Sequence, residues 1–185
     1  QLHDGWMNRR QFIGSTSATL VLAGCAHRQP IAEAVERCLQ RIDEIDKHGP
    51  AINSVIEINP GARRIAEALE GRSPLSALHG VPILIKDNIE TADAMETTAG
   101  SLALVGAKPK RDAFIVERLR ASGLVLLGKT NLSEWANIRS SKSTSGWSAR
   151  GGLTRNPHRL THNTSGSSSS SAAPVPARPV PLAIG

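Results

Sequence analysis

Apolar residues recur at helical spacing from Ile31 through Val35, Cys38, Leu39, Ile42 and Ile45, with charges on the opposite face. That pattern predicts a helix opened by Pro30, running to about Lys47 and ended by Gly49-Pro50. Ala51 to Ile58 alternates as a strand does, and Pro60 starts a second helix through Ile65 and Leu69, closed at Gly71. The two helices read as a cover over a sheet. Val81, Ile83, Leu84 and Ile85 then form a run too short for a helix, rich in β-branched residues and punctuated by Gly80 and Pro82. It predicts a buried strand that ends at Lys86, with turn chemistry following in Asp87-Asn88.

Thr91 to Gly106 is polar and rich in small residues, and reads as a loop packed near a site. Asp112 is placed to cap a helix from Ala113 to about Ser122, Gly123 ends it, and Leu124 to Leu127 reads as a second buried strand. Strand, helix and strand imply a parallel pair with a right-handed crossover, and therefore an α/β fold. Asn131 with Glu134 three residues on predicts a capping-box start for a short helix over Trp135. From Ser140 the chain turns to Ser, Thr and Gly and ends in the run Ser165 to Ser171, which by composition alone is a flexible linker.

Composition narrows the partners. The 185 residues are enough for one domain, and with 39% hydrophobic but only 3% aromatic residues the core has to be aliphatic. A net charge of +6 would raise nucleic-acid binding. The basic residues are interleaved with acids, no basic run reaches five, and stacking aromatics are scarce, so no nucleic-acid partner is expected. The serine run lacks the glycine pattern and lysine of a P-loop, no zinc-type spacing occurs, and no histidine pair shares a helix face, so no metal is expected. Cys38 lies on the apolar helix face and reads as a buried free thiol.

The first 24 residues read as an export signal, with Met7 the expected start. Arg9-Arg10 followed by Phe12-Ile13 is the pattern of a twin-arginine signal, and the apolar run Ala18 to Ala23 is too short to span a bilayer. Leu22-Ala23-Gly24-Cys25 resembles a lipobox. Lipidation at Cys25, with cleavage near Ala26 as the alternative, predicts a periplasmic protein that meets the membrane only through a lipid anchor. Its removal takes two arginines and one aspartate, so the mature chain, from residue 25 to 185, stays mildly basic.

Lys86 is the residue with chemistry to explain. Ligand sites in open α/β sheets lie outside the carboxyl ends of strands, which is where Lys86 falls; the alternative is a surface lysine capping a strand edge. A free lysine titrates near 10.4, so a basic role at neutral pH needs desolvation worth roughly 4 kcal/mol.

Three ordered blocks carry a family resemblance. HGVPILIKDNI, DAFIVERLRASGLVLLGKTNLSEWA and SGSSSSSAAPVPARPVPLAIG together resemble the amidase signature family from about Ile31 to Gly185, and SGWSARGG followed by Arg155-Asn156-Pro157 is most similar to its peptide-amidase branch. The resemblance implies a partial amidase-signature core, a mixed or parallel sheet covered by helices and incomplete at its C-terminal side, with residues 25–185 its N-terminal part. It implies Lys86 and Ser167 as catalytic residues, Ser167 being a bridging serine in a cis peptide, and substrate contacts from Ser143, Ser165 and Gly166.

The implied reaction is hydrolysis of a carboxamide carbon–nitrogen bond through an acyl-serine, with no cofactor, on a small amide or an amidated peptide. The family's nucleophile belongs to a Gly-rich segment that begins at about Gly185, so the chain as given is expected to be inactive. A non-catalytic amide- or peptide-binding lipoprotein on the same scaffold is the competing reading, and oligomeric state stays open. Ser169 and Ser170 stand where the family has glycines, and Pro174, Pro176 and Pro179 fall where it has a helix; at about 3 kcal/mol per interior proline, no regular helix is expected there.

Overall fold

The computed structural model describes residues 29–138 and 140–185. The expected export signal and the expected lipidation site Cys25 lie outside the described residues. Helix α1 (Ile31–Arg41) follows Pro30 and continues as a π-helical turn, Ile42–Lys47. The apolar stripe is the buried one: Val35, Cys38 and Ile42 are enclosed, with Ile31 and Leu39 packed beside them. Cys38 is a free thiol, and its burial raises its pKa. Glu70 reaches back to accept the Ala32 N–H at 3.2 Å, which satisfies a first-turn amide that no local side chain caps.

The π turn is marked by the His48 N–H on Asp43 O at 2.9 Å; its wider winding turns Asp46 inward. Fully buried, Asp46 accepts the Ser54 N–H at 2.7 Å, the Ser54 hydroxyl at 2.5 Å and the Val55 N–H at 3.0 Å. This shortens the expected strand. Ala51 and Asn53 adopt left-handed φ of 51° and 55° as the chain wraps the carboxylate, so strand β1 is Val55–Ile58 rather than Ala51 onward. Helix α2 (Ala62–Leu69) follows, and Gly71 turns the chain at φ 73°.

Strand β2 (Pro82–Lys86) is buried at every position, and helix α3 (Phe114–Ala121) leads into strand β3 (Val125–Thr130). Asp112 does not cap α3. It accepts the Ala92 N–H and the Arg120 Nε–H at 2.6 and 2.7 Å, because the arginine offers a charge-assisted partner that a helix terminus does not. The capping box at Asn131 is also absent. Glu134–Asn137 is a short 3-10 turn in which Trp135 and Ala136 have φ of 52° and 54°. The hairpin of β4 (Trp147–Ser148) and β5 (Gly152–Leu153) takes the side chains instead: Asn131 bonds Gly152 O and Ser148 Oγ, and Glu134 accepts the Ala149 N–H.

The serine run is not a linker. It forms a four-residue helix α4 (Ser169–Ala172) with Ser169, Ser170 and Ser171 buried, and the helix stops before the prolines as their chemistry requires. Strand β6 (Leu182–Ile184) closes the chain. The sheet runs β1-β3-β2-β6. β2 and β3 are parallel neighbours, as expected, with Pro82 opposite Val125 and Lys86 opposite Thr130; β6 is parallel to β2 and β1 antiparallel to β3.

Aliphatic side chains fill both faces of this mixed α/β sheet. Helices α1 and α2 pack on Val55, Leu84, Val125 and Leu127, while Val116 of α3 packs on Ile83, Ile85, Leu124 and Leu126. Gly128 is required where β1 crosses closest, since a Cβ there would stand 2.4 Å from Glu57 O. Asp46 joins α1 to β1, so Asp46→Ala leaves two amides and a hydroxyl buried without their acceptor. Urea unfolding of that variant should show a loss of about 3 kcal/mol or more; a loss below about 1 kcal/mol contradicts this account.

Candidate active site

Lys86 leaves the carboxyl end of β2 with 5% of its surface exposed. Its Nζ donates to Ser167 Oγ at 3.1 Å and to Ser168 Oγ at 2.8 Å. Burial penalises the ammonium form and holds the amine below the ordinary lysine range. The arrangement joins an amine whose pKa burial lowers to hydroxyls that both donate and accept, which is what a proton relay requires.

The serine run is docked by hydroxyls. Thr130 Oγ1 meets Ser171 Oγ at 2.6 Å, Thr154 Oγ1 meets Ser170 Oγ at 2.7 Å, and Ser133 Oγ donates to Gly166 O at 3.1 Å. Ser170, standing where a glycine was expected, is accommodated because its hydroxyl finds a partner. Every peptide bond among the described residues is trans, so the expected cis bond at Ser167 is not present. Trans is the lower-energy form for a non-proline residue by about 3 kcal/mol, and Ser167 reaches Lys86 in it.

The remaining expected residues fall in two places. Ser165 and Gly166 lead into Ser167 with φ of 59° and 52°, both exposed. Ser143 donates its hydroxyl to Ser140 O at 2.8 Å and lines a separate cleft of about 270 Å³ with Glu134, Asn137 and Trp147. Ser168 was missed. Nothing in a run of like residues distinguishes the serine whose side chain turns to the lysine from its neighbours.

Beside Lys86 lies a network of charges that sequence reading also missed. Asp87 is fully buried and accepts from Thr98 Oγ1 at 2.5 Å and the Gly100 N–H at 3.1 Å, with Arg150 at 3.5 Å. Desolvation raises its pKa, opposed by the bonds from Thr98 and Gly100 and by the Arg150 and Lys129 charges. Arg150 also pairs with Glu57 at 2.6 Å and Glu96 at 3.2 Å. Lys129, fully buried on β3, donates to Ile89 O at 2.6 Å and Thr97 Oγ1 at 2.9 Å. These contacts clamp the loop after Lys86 to β1, to β3 and to the β4–β5 turn.

A family profile described as Amidase matches residues 33–185. The chain belongs to the amidase family. It is 49% identical over 150 residues to a probable amidase of Arabidopsis thaliana, covering 78% of this chain and 29% of the relative. It is 41% identical over 159 residues to one of the chains of the glutamyl-tRNA(Gln) amidotransferase of Symbiobacterium thermophilum, covering 83% and 31%. The native peptide amidase of Stenotrophomonas maltophilia superposes with a TM-score of 0.80 at 50% identity, over 84% of this chain and 32% of that one. The chain thus spans about a third of the length of these amidase-family relatives.

Lys129 makes the charged network testable without a substrate. Burial is the main cause that lowers its amine from 10.5 to about 8, against the pull of Asp87, Asp93 and Glu57. Between those values the unfolded chain holds a proton that the folded chain has released, so stability rises with pH across the window. Against a Lys129→Met reference, urea unfolding should show wild-type stability gaining up to roughly 3 kcal/mol from pH 8 to 10.5. A difference that stays flat over that window refutes the buried-amine reading.

Proposed function

We propose that this chain carries the base and relay serine of an amide hydrolase that acts through an acyl-serine, the nucleophilic serine coming from a Gly-rich segment outside residues 1–185. The observation that carries the reading is the hydrogen bond from Lys86 Nζ to Ser167 Oγ at 3.1 Å, made by a lysine whose burial favours the neutral amine. In this scheme Ser167 passes its proton to Lys86 as it takes one from the nucleophile, whose oxygen attacks the amide carbonyl. The proton returns along the same path to the departing nitrogen, which leaves as ammonia or an amine. Water then takes the nucleophile's place and releases the acid. The scheme draws on side chains and water alone.

Similarity to a peptide amidase supports a peptide with a terminal carboxamide as substrate. The test is a chimera in which residues 33–185 replace the matching third of that enzyme. It should hydrolyse peptide carboxamides, and Lys86→Ala within it should lower kcat/KM by about 10²–10⁴-fold with the fold retained. Full activity in that variant removes the lysine's role. Turnover by the isolated 185-residue chain would place the nucleophile within it. Amide binding by the chimera without product release, followed by calorimetry, would favour the ligand-holding lipoprotein.

The reading extends to location. Arg9-Arg10 and Leu22-Ala23-Gly24-Cys25 motivate export and anchoring through Cys25 on the periplasmic side. Cys25→Ala should move the protein from the membrane fraction to the soluble one, and an unchanged distribution contradicts lipidation.

A further inference from the structure

Ser133 makes three contacts that the hydrolytic scheme does not use. It is completely buried, just past the end of β3. Its hydroxyl donates to Gly166 O at 3.1 Å and accepts the Gly146 N–H at 2.8 Å, while its own N–H reaches Ser167 O at 3.3 Å. Gly166 O and Ser167 O belong to the two peptide planes on either side of the Ser167 Cα. Holding both planes sets φ and ψ of Ser167 and therefore the direction of its Cα–Cβ bond, leaving χ1 as the remaining freedom of the hydroxyl.

The other docking hydroxyls cannot do this. Thr154 and Thr130 hold Ser170 and Ser171, three and four residues further on, through side chains alone. The segment entering Ser167 needs such a hold, because Ser165 and Gly166 are both exposed and in left-handed conformations, which glycine takes freely and serine rarely. The Ser133 hydroxyl has one proton, committed to Gly166 O, so Gly146 N–H meets its lone pair and the direction of both bonds is determined.

We propose that Ser133 is a positioning residue that aims the Ser167 hydroxyl at the Lys86 amine. It acts through Ser167 and not on substrate, and the proposal rests on the Lys86–Ser167 reading above. Ser133→Ala removes the donor to Gly166 O and the acceptor for Gly146 N–H. The Ser167 peptide then turns, water enters, and the Lys86 amine regains the solvation that favours its charged form. Ser133→Thr keeps the hydroxyl and both bonds.

The test is a pH titration of Lys86 by NMR in the 185-residue chain with ¹³C-labelled lysine, the Lys86 signal assigned by its loss in Lys86→Arg. Ser133→Ala should raise the Lys86 midpoint by about one unit, a tenfold change in proton affinity. Hydrogen exchange at the Gly146 amide should speed up in the same variant, and Ser133→Thr should return both to wild-type values. A folded Ser133→Ala chain with an unmoved Lys86 midpoint overturns the proposal. If that variant does not fold, Ser133→Cys, of similar size but a poor donor, is expected to shift the midpoint the same way, and no shift there overturns it equally. Ser167→Ala separates the two levels. A midpoint unmoved by Ser167→Ala removes the Lys86–Ser167 contact itself, whereas a midpoint that responds to Ser167→Ala but not to Ser133 variants removes only the positioning role.

Discussion

A lysine taken out of water must find acceptors, and the kind it finds decides what it can do. Two buried lysines end neighbouring parallel strands, with Lys86 opposite Thr130 and Lys129 opposite Ile85. Lys129 sits among Asp87, Asp93 and Glu57, and its amine is engaged by Ile89 O and Thr97 Oγ1 inside the loop it secures. Lys86 bonds only hydroxyls, from a segment more than eighty residues away. A carboxylate beside Lys86 would raise its pKa and keep the amine protonated, unable to accept a proton; a hydroxyl satisfies the amine while leaving burial free to lower its pKa. The same strand ends thus yield one lysine set among carboxylates, which secures a loop, and one bonded to hydroxyls.

The charged network protects that distinction. Asp87 is the next residue after Lys86, yet its carboxylate is taken by Thr98, Gly100 and Arg150. Arg150 in turn bridges to Glu57 and Glu96, so the nearest acid to the lysine in sequence is held by partners of its own. The loop after β2 gains rigidity from the same bonds, because Gly100 also accepts the Arg150 N–H at 2.9 Å.

What was legible in the sequence is what periodicity and punctuation encode. The stripe on α1, the short β-branched run of β2, the strand–helix–strand unit and the stop at the prolines appear where those signals put them, and the family motifs pointed to Lys86 and Ser167. The misread caps share one cause. Asp112, Asn131 and Glu134 carry side chains suited to helix caps, but each met a partner distant in sequence: Arg120, the β4–β5 hairpin and the Ala149 amide. Asp46 shortened β1 in the same way, by drawing the Ser54 and Val55 amides into a turn. Local capping chemistry competes with charge-assisted and buried long-range bonds, and the sequence does not rank the competitors. The Ser/Gly stretch misled for the converse reason, since composition reports the solubility of hydroxyls and says nothing of whether other hydroxyls wait to pair with them.

Proton accounting assigns a direction to those pairs. Thr154 Oγ1 donates its one proton to Asn53 O at 2.8 Å, so in its contact with Ser170 the serine is the donor. Ser171 Oγ donates to Ile184 O at 3.2 Å, so in the Thr130 contact the threonine donates. The second chain of bonds runs from the end of β3, through the serine helix, to the backbone of β6, passing over the strand between them that delivers Lys86. Because each link is neutral, the run is located against the sheet without placing a charge near the amine. The neutrality of the Ser170 and Ser171 anchors has an electrostatic consequence: charged anchors would hold the segment as firmly but would retune the lysine they were holding it against.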